Sequence, residues 1–203
     1  MEIKTDNLEW RDAYKLLQGS VLPRPIAFVS SQDENGIANL APFSFFTVIS
    51  ANPMMVCFSP MRRGTDGAKK DTLKNIEGTK EFVINIVSEE FVQQMNDCAT
   101  EFASDVDEFE ASGLTKVDSV AVKPSRVKES KVHLECVLDQ VLHFGDEEAG
   151  AGSLVIGKVV HVHVADELYE SGRINSEKLN PVGRLAGATY TLPLAKTFEL
   201  QRK

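Results

Sequence analysis

The sequence predicts a mainly β fold, an antiparallel barrel that is closed or nearly closed and carries helical decorations. Short apolar runs separated by turn residues recur along the chain, and their side chains mostly alternate with a period of two. Helices stand between only some of these runs, without the regular strand–helix rhythm of a parallel sheet. The length of 203 residues favours a single domain over residues 1–203, large enough to bury a core without metal or disulfides.

Seven segments have the composition of strands. The turn cluster Asp33-Glu34-Asn35-Gly36, the pair Asn52-Pro53 and the proline Pro60 separate or end the first four of them. In the sixth segment apolar and polar side chains alternate, as in a strand with one buried face. The predicted strands cover residues 26–31, 37–42, 45–49, 55–59, 82–87, 132–139 and 154–164.

Three helices are predicted beside the strands. Ser88 is a candidate N-cap, and Glu89 and Glu90 after it place negative charge where the helix dipole favours it. Four apolar residues then share one helical face, which predicts that this helix packs on the core. These residues are Phe91, Val92, Met95 and Cys98. The other two helices are expected over residues 71–78 and 12–18.

The charge of the chain is uneven. There are 30 acidic and 22 basic residues, a net charge of −8, which argues against nucleic acid or an anionic membrane as a partner. Eight of the acids lie between Glu89 and Ser112, where there is no Lys or Arg. Five cations and two acids lie between Arg62 and Lys74, so the acidic total still permits one small anion site.

Export and membrane insertion are not indicated by the sequence. The first residues lack a basic start followed by an apolar run, the pattern of a secretory signal. No stretch approaches the ~18 apolar residues that a membrane-spanning helix needs. We therefore expect a cytoplasmic protein without membrane contact.

Common catalytic and cofactor motifs are absent from the sequence. There is no glycine-rich dinucleotide loop, no Walker loop and no nucleophile elbow. Cys57, Cys98 and Cys136 form no Cys-x-x-Cys pair and are expected to be small buried hydrophobes. His161 and His163 share a strand face, but the spacing assigns no third ligand, so we predict no metal site.

A group of small, polar and basic residues at strand ends remains. The segment 39–46 places an amide, a hydroxyl and a proline without N–H in an apolar stretch, which leaves backbone groups free for a ligand. Arg63, Lys70 and Thr72 lead into a predicted helix start, where N–H groups, a hydroxyl and two cations favour a phosphate site. The alternative is that Asp71 only caps the helix and the cations are solvated.

Five segments in series resemble a known family. They occur in the order and near the spacing of that family and span roughly residues 22–192. The segments are 24–31 (RPIAFVSS), 39–46 (NLAPFSFF), 70–76 (KDTLKNI), 82–86 (FVINI) and 181–190 (PVGRLAGATY). On these motifs the chain resembles the flavin reductase-like, FMN-binding split-barrel family, in the branch that includes flavoredoxin.

The resemblance implies a six-stranded Greek-key split barrel that binds FMN without a covalent bond. It also implies a homodimer whose interface borders the flavin. Four residues would line the edge of the isoalloxazine ring, largely through backbone groups. These ring contacts are Asn39, Ala41, Pro42 and Ser44.

The resemblance assigns the ribityl phosphate to a second group of residues. These phosphate contacts are Ser59, Arg63, Lys70 and Thr72. Asp71 would position their loop, and Arg184 and Tyr190 would serve the C-terminal wall or the dimer. Either Arg62 or Arg63 could be the arginine that reaches the phosphate.

The function that the resemblance implies is NAD(P)H-dependent flavin reduction. FMN, bound or exchangeable, would accept hydride from NADH or NADPH and pass electrons to an acceptor, so we assign no catalytic side chain. One alternative is an electron carrier reduced by a partner protein, with the acidic segment Glu89–Glu110 as the docking face for a basic partner. Another is a flavin-binding module without turnover, and a barrel that binds no flavin also stays open.

Overall fold

An antiparallel sheet of seven strands forms the centre of the structure, a computed structural model that describes residues 1–201. In chain order the strands are β1 (Ala27–Gln32), β2 (Ala38–Phe43), β3 (Phe46–Ala51), β4 (Met54–Phe58), β5 (Glu81–Ile86), β6 (Lys116–Val117), β7 (Arg126–Val127), β8 (Val132–Phe144), β9 (Gly152–Val164), β10 (Tyr169–Glu170), β11 (Arg173–Ile174), β12 (Gly183–Arg184) and β13 (Tyr190–Thr191). The α-helices are α1 (Trp10–Ser20), α2 (Asp71–Thr79), α3 (Val92–Asp97), α4 (Glu108–Ser112) and α5 (Ser176–Leu179). Short 3₁₀ turns cover Glu89–Phe91, Asp166–Leu168 and Pro193–Ala195.

The central sheet is curled and open. Its strand order is β2-β1-β5-β8-β9-β4-β3, so β2 and β3 are the edge strands. Only Ser44 and Phe45 separate these two strands in sequence, and the sheet must therefore curl until its two edges approach each other. Within residues 1–201 no strand pairing joins β2 to β3.

The prediction of a mainly β fold with helices is confirmed, but the structure shows an open sheet where the barrel was expected to be closed or nearly closed, and the six strands are not confirmed. The sheet has seven strands, where the resemblance implied six, and its hydrogen-bond ladder is not closed in the described part of the chain. The ladder is open at the bend formed by Ser44 and Phe45, where the chain leaves one edge of the sheet and enters the other. Pro42, close to this bend, has no N–H to donate to a further strand and therefore suits an edge.

Strand β1 is buried on both faces, which explains its continuous apolar sequence. Ala27 and Val29 belong to a cluster inside the curled sheet, with members from six of its strands and from α2. Ile26 and Phe28 belong to a second cluster, which packs beneath α3 and α4. Because β2 pairs with β1 along its whole length, the end of β2 is held by the same two layers.

The three predicted helices are present, with different ends. Helix α1 begins at Trp10, and α2 has Lys70 as its N-cap without a capping side chain, so the alternative of Asp71 as a cap is wrong. Ser88 does not cap through its side chain either, because its hydroxyl is buried with no partner in the described residues. The chain after it makes a 3₁₀ turn before α3 begins. No helix of residues 1–201 is long and apolar enough to cross a membrane.

All three cysteines are buried free thiols, as predicted. Burial raises the pKa of each thiol, that of Cys98 to about 11. At neutral pH the thiols are therefore protonated and poorly nucleophilic. They serve the core as small hydrophobic side chains.

Candidate functional site

A cleft of about 290 Å³ opens at the bend between β2 and β3. Its walls come from β2 and the bend after it, the segment after β4, the first turn of α2, the segment after α3 and the strand pair β12–β13. All eleven residues proposed from the sequence line this one cleft, although they are distant along the chain. They are Asn39, Ala41, Pro42, Ser44, Ser59, Arg63, Lys70, Asp71, Thr72, Arg184 and Tyr190.

One end of the cleft contains two cations, Arg63 and Lys70. The Arg63 guanidinium donates to Asp71 at 2.7 Å, and Lys74 donates to the other oxygen of the same carboxylate at 3.0 Å. The Lys70 ammonium has no hydrogen-bond or ion-pair partner among residues 1–201. Asp71 therefore fixes the loop that carries Arg63, while Lys70 is available to an anionic ligand.

The first turn of α2 adds backbone donors beside these cations. Lys70 is extended at the N-cap, and its carbonyl accepts from the N–H of Leu73 at 3.0 Å. The N–H groups of Asp71 and Thr72 have no acceptor in the described part of the chain. Free N–H groups at the positive end of a helix dipole, next to two cations, suit a phosphate group.

A buried carboxylate that was not singled out from the sequence, Glu108, also lines the cleft. Glu108 accepts from the side-chain amide of Asn39 at 2.6 Å and from the N–H of Leu40 at 3.1 Å. Asn39 Oδ1 in turn accepts from the Thr72 hydroxyl at 2.6 Å. Burial raises the pKa of Glu108 above its usual range. The hydroxyl proton of Thr72 is thus engaged inside the protein and is not free for a ligand.

No spacing rule separates Glu108 from the other acids of the segment between Glu89 and Ser112. Its burial follows from α4, in which Asp107 is the N-cap and accepts from the N–H of Phe109 at 3.0 Å. Phe109 enters the core beneath α4, and Glu108 beside it contacts β2. Only the tertiary packing of α4 on β2 therefore identifies this carboxylate.

The uncharged wall of the cleft is the end of β2, with Ala41, Pro42 and Ser44. Ser44 Oγ accepts from Nε of Arg24 at 3.2 Å, and its own proton has no acceptor within residues 1–201. Arg24 is buried, and its guanidinium also donates to the carbonyls of Gln18, Val21 and Leu185. Burial lowers the pKa of this guanidinium. Arg24, to which the sequence analysis gave no role, ties the end of α1 and the C-terminal segment to this wall.

Ser59, Arg184 and Tyr190 complete the lining. The Ser59 hydroxyl donates to the Ser153 carbonyl at 2.7 Å and so joins the end of β4 to β9. The Arg184 guanidinium lies 4.4 Å from the centroid of the Tyr190 ring, and the Tyr190 hydroxyl donates to Asn96 at 2.8 Å. Arg184 and Tyr190 therefore form a C-terminal wall, one of the two places expected for them.

The structure separates the two adjacent arginines. Arg62 donates to the Gly67 carbonyl at 2.9 Å and to Glu147 at 3.0 Å, and it is not part of the cleft lining. Arg63 lines the cleft. Of the two arginines that the sequence left open, Arg63 is the one in position to meet a ligand.

The lip of the cleft opposite β2 belongs to the acidic segment. Thr100, Glu101 and Phe102, which follow α3, line this side. The Thr65 hydroxyl donates to the Glu101 carboxylate at 3.1 Å, so the loop before α2 contacts the loop after α3. The cleft lining therefore contains the negative charge of Glu101 as well as the cations Arg63 and Lys70.

The histidines of β9 take part in a separate network. His163 Nε2 lies 2.5 Å from a carboxylate oxygen of Glu135, and the rings of His161 and His163 are 4.6 Å apart. Glu135 also accepts from three consecutive backbone N–H groups of residues 120–122. Among the described residues no group of three or more His, Cys, Asp or Glu side chains is arranged to hold a metal ion.

Known proteins share this fold over nearly the whole chain. The sequence model of a protein family, the flavin reductase like domain, matches residues 19–179 of this chain. Nitrilotriacetate monooxygenase component B from Bacillus cereus is 40% identical, with a TM-score of 0.92 over 98% of each chain. The 2-nitrobenzoate 2-nitroreductase of Pseudomonas fluorescens is 29% identical, with a TM-score of 0.87 over 100% of this chain and 96% of that one. A split-barrel protein from Shewanella frigidimarina, 24% identical with a TM-score of 0.83 over 98% and 96% of the two chains, shows that the curled sheet is a split barrel.

Proposed function

The chain belongs to the flavin reductase-like domain family, and from this premise we propose that it is an FMN-binding oxidoreductase that accepts hydride from NADH or NADPH. FMN would supply the hydride and electron chemistry, while the protein binds and orients the ring. The observation that supports this most is the cleft itself, which brings all eleven residues proposed from the sequence onto one lining. It combines a cationic end with an uncharged wall, as FMN combines a phosphate with an aromatic ring.

The donor set at the cationic end fits the ribityl phosphate. Lys70 offers an unpaired ammonium, Arg63 a guanidinium held by Asp71, and the first turn of α2 offers the N–H groups of Asp71 and Thr72. Charge-assisted hydrogen bonds of this kind are about twice as strong as neutral ones. This end would therefore distinguish FMN from riboflavin, which lacks the phosphate.

The uncharged wall fits the edge of the isoalloxazine ring. Ala41 and Pro42 present backbone and apolar surface at the end of β2, and Ser44 presents a hydroxyl proton with no internal acceptor. Arg24 behind Ser44 polarises that hydroxyl because its guanidinium donates to carbonyl and hydroxyl groups and has no carboxylate partner among the described residues. The sequence has no dinucleotide loop, so the nicotinamide would stack on the flavin at the open mouth of the cleft.

The electron acceptor belongs to one of two classes. The Bacillus cereus protein is a monooxygenase component and the Pseudomonas fluorescens protein is a nitroreductase. We propose accordingly that the acceptor is either a partner protein or a small oxidised molecule. A cytoplasmic location stays our prediction, since NADH and NADPH are supplied there.

The visible spectrum of the purified protein tests this function. The protein is expected to show flavin absorption, or to acquire it with added FMN, and to bleach when NADH or NADPH is added without oxygen. Hydride transfer to the bound flavin is the physical reason for the loss of colour. A flavin-loaded protein that neither nucleotide bleaches would contradict the reductase proposal, and a protein that binds no flavin would remove the cofactor as well.

An electron-carrier role is the second candidate, and the acidic lip supports it. Asp97, Glu101, Asp105 and Glu110 are exposed and form no ion pair within residues 1–201. Exposed charges beside the cleft could steer a basic partner protein towards the flavin. Reduction by a partner protein but not by NADH or NADPH would select this role. Binding of FMN without reduction by either donor would leave a module without turnover.

We propose that the protein acts as a homodimer, and the sheet supports this. Large apolar side chains are exposed on three strands of the continuous β8-β9-β4-β3 half. They are Val48, Ile49, Leu142, Phe144, Val160 and Val162. A stable interface buries about 800 Å² on each partner, and exposed apolar side chains on a sheet are candidates for such burial.

Sedimentation velocity is expected to report twice the monomer mass, and Val48→Asp to shift the population towards monomer. Val48 on β3 is 67% exposed, so the charge of the introduced aspartate would lose its hydration only if this part of β3 is buried in a dimer. Val120→Asp is the matched control, because Val120 is 69% exposed and lies on a loop outside the main sheet. A wild-type monomer, or equal effects of the two substitutions, would contradict the proposed interface.

A further inference from the structure

We propose that Glu108 takes up a proton when the FMN phosphate binds, and that Asn39 transmits this protonation to the hydroxyl of Thr72. The inference rests on the proposed FMN site and adds a proton-linked control of phosphate affinity to it. It follows from three side chains that are hydrogen-bonded in series and buried: Thr72 is 1%, Asn39 9% and Glu108 8% exposed.

With an ionised Glu108 the series has one direction. The Thr72 hydroxyl donates to Asn39 Oδ1 at 2.6 Å, and Asn39 Nδ2 donates to Glu108 Oε1 at 2.6 Å. A hydroxyl has a single proton, so Thr72 then presents only lone pairs to the cleft. Lone pairs repel the oxygens of a phosphate, and Thr72 would weaken rather than support phosphate binding in this state.

Protonation of Glu108 reverses the series. The Glu108 O–H would donate to Asn39 Oδ1 after the amide turns over, and Asn39 Nδ2 would donate to Thr72 Oγ1. The Thr72 proton would then be free to donate to a phosphate oxygen. Oε2 of Glu108 can keep the bond from the N–H of Leu40. Ser31 Oγ, which donates to Asn39 Oδ1 at 3.4 Å, would lose this long bond and face Nδ2 instead. The two short bonds of the series are retained in number, and one charge-assisted bond to the ligand is added.

The surrounding charges also favour the protonation of Glu108 when a phosphate binds. The charged or titratable side chains that share a cleft lining with Glu108 or act on its charge are Tyr14, Asp33, Arg63, Lys70, Asp71, Lys74, Cys98, Glu101, Asp105, Asp107, Arg184 and Tyr190. Two of the four cations, Arg63 and Lys74, are already paired with Asp71. Burial and the neighbouring Asp107 both raise the pKa of Glu108 in the free protein. A bound phosphate adds negative charge and would raise it further.

Glu108→Gln is the matched probe, because a glutamine amide can donate to Asn39 and accept from Leu40 as a protonated glutamate does. Titration calorimetry with FMN, in two buffers of different ionisation enthalpy from about pH 6 to 9, measures the protons taken up. The second ionisation of the phosphate, near pH 6, contributes equally to both proteins and cancels in their difference. Wild type is expected to take up more protons than E108Q. At the highest pH the ratio of FMN to riboflavin affinity is expected to be about tenfold higher in E108Q.

Thr72→Val tests the transmission step. In a Thr72→Val background the added E108Q substitution is expected to lose its effect on the FMN to riboflavin ratio, since no hydroxyl proton remains to be released. Equal proton uptake by wild type and E108Q at every pH would overturn the inference and leave the FMN proposal intact. Failure of every protein to bind FMN would overturn both. If E108Q does not fold, the wild-type measurement alone tests the inference. A proton uptake by the wild type no greater than the titration of FMN itself predicts would overturn it.

Discussion

Replacing Lys70 with alanine is expected to weaken FMN binding about 10- to 100-fold and to leave riboflavin binding nearly unchanged. Lys70 lines the cationic end of the cleft at the N-cap of α2, and its ammonium has no partner among residues 1–201. A bound phosphate would therefore be the only anion that the Lys70 ammonium contacts. The loss corresponds to about 1.5–3 kcal/mol, the value of one charge-assisted hydrogen bond. Fluorescence titration of the two flavins against the variant measures it.

Lys69→Ala is the control for this substitution. Lys69 is the adjacent residue and has the same side chain, but its ammonium donates to Glu77 at 2.7 and 2.9 Å and does not line the cleft. Removal of the Lys69 side chain is expected to have a small effect, equal for FMN and riboflavin, on the two binding affinities. If Lys70→Ala weakened the two flavins to the same degree, Lys70 would not contact phosphate and the proposed orientation of FMN would be wrong.

Replacing Glu135 with glutamine is expected to lower the free energy of unfolding by about 3 kcal/mol at neutral pH. Glu135 is 0% exposed, and its carboxylate accepts from three backbone N–H groups in residues 120–122 and faces His163. A glutamine would turn an NH₂ group towards some of these donors and leave them unsatisfied in the interior. Urea unfolding of wild type and variant measures the difference.

The pH dependence of that difference is a second readout. Burial alone would raise the pKa of Glu135, but hydrogen bonds from the Val120 N–H, His163 and the Ala121 N–H outweigh it and lower the pKa. Its stabilisation is therefore present above the unfolded-state pKa of about 4.3 and is lost as the pH falls through the folded-state value. The gap between wild type and E135Q is expected to shrink below about pH 4. Glu110→Gln, at an exposed carboxylate, is expected to leave stability unchanged at neutral pH. A gap that stays constant with pH would contradict this account.

The strands were largely predictable from the sequence because they depend on local pattern, and the residues that line the cleft were selected from it mainly by the family resemblance of short segments. A doubly buried strand such as β1 reads as one apolar run. In β8 the period of two gave the wrong exposed face, because His133 and Glu135, which alternate with the apolar residues, are 6% and 0% exposed. The site residues occur in short segments next to strand ends and at a helix start. The ends of strands and helices expose unpaired backbone N–H and C=O groups, so ligand contacts can be expected there without knowledge of the whole fold.

The partners of those residues could not be predicted in this way. Thr72 fits a phosphate contact by its place in α2, yet its hydroxyl binds Asn39, which lies 33 positions earlier. Asn39 binds Glu108, which lies 69 positions later, and nothing local distinguishes Glu108 from the acids around it. Arg62 and Arg63 are equivalent in sequence, and the positions of the Gly67 carbonyl and Glu147 hold Arg62 away from the cleft.

The sequence by itself determined a mainly β chain with a cation-rich helix start and an uncharged strand end, since alternation, turn residues and local charge are properties of neighbouring residues. The tertiary structure alone decided that the sheet stays open between β2 and β3 and that Arg63 and Lys70 share a cleft with Ser44. It also decided that a buried Glu108 lines the same cleft. Hydrogen-bond partners and burial arise from contacts between distant segments, and these exist only once the sheet has curled.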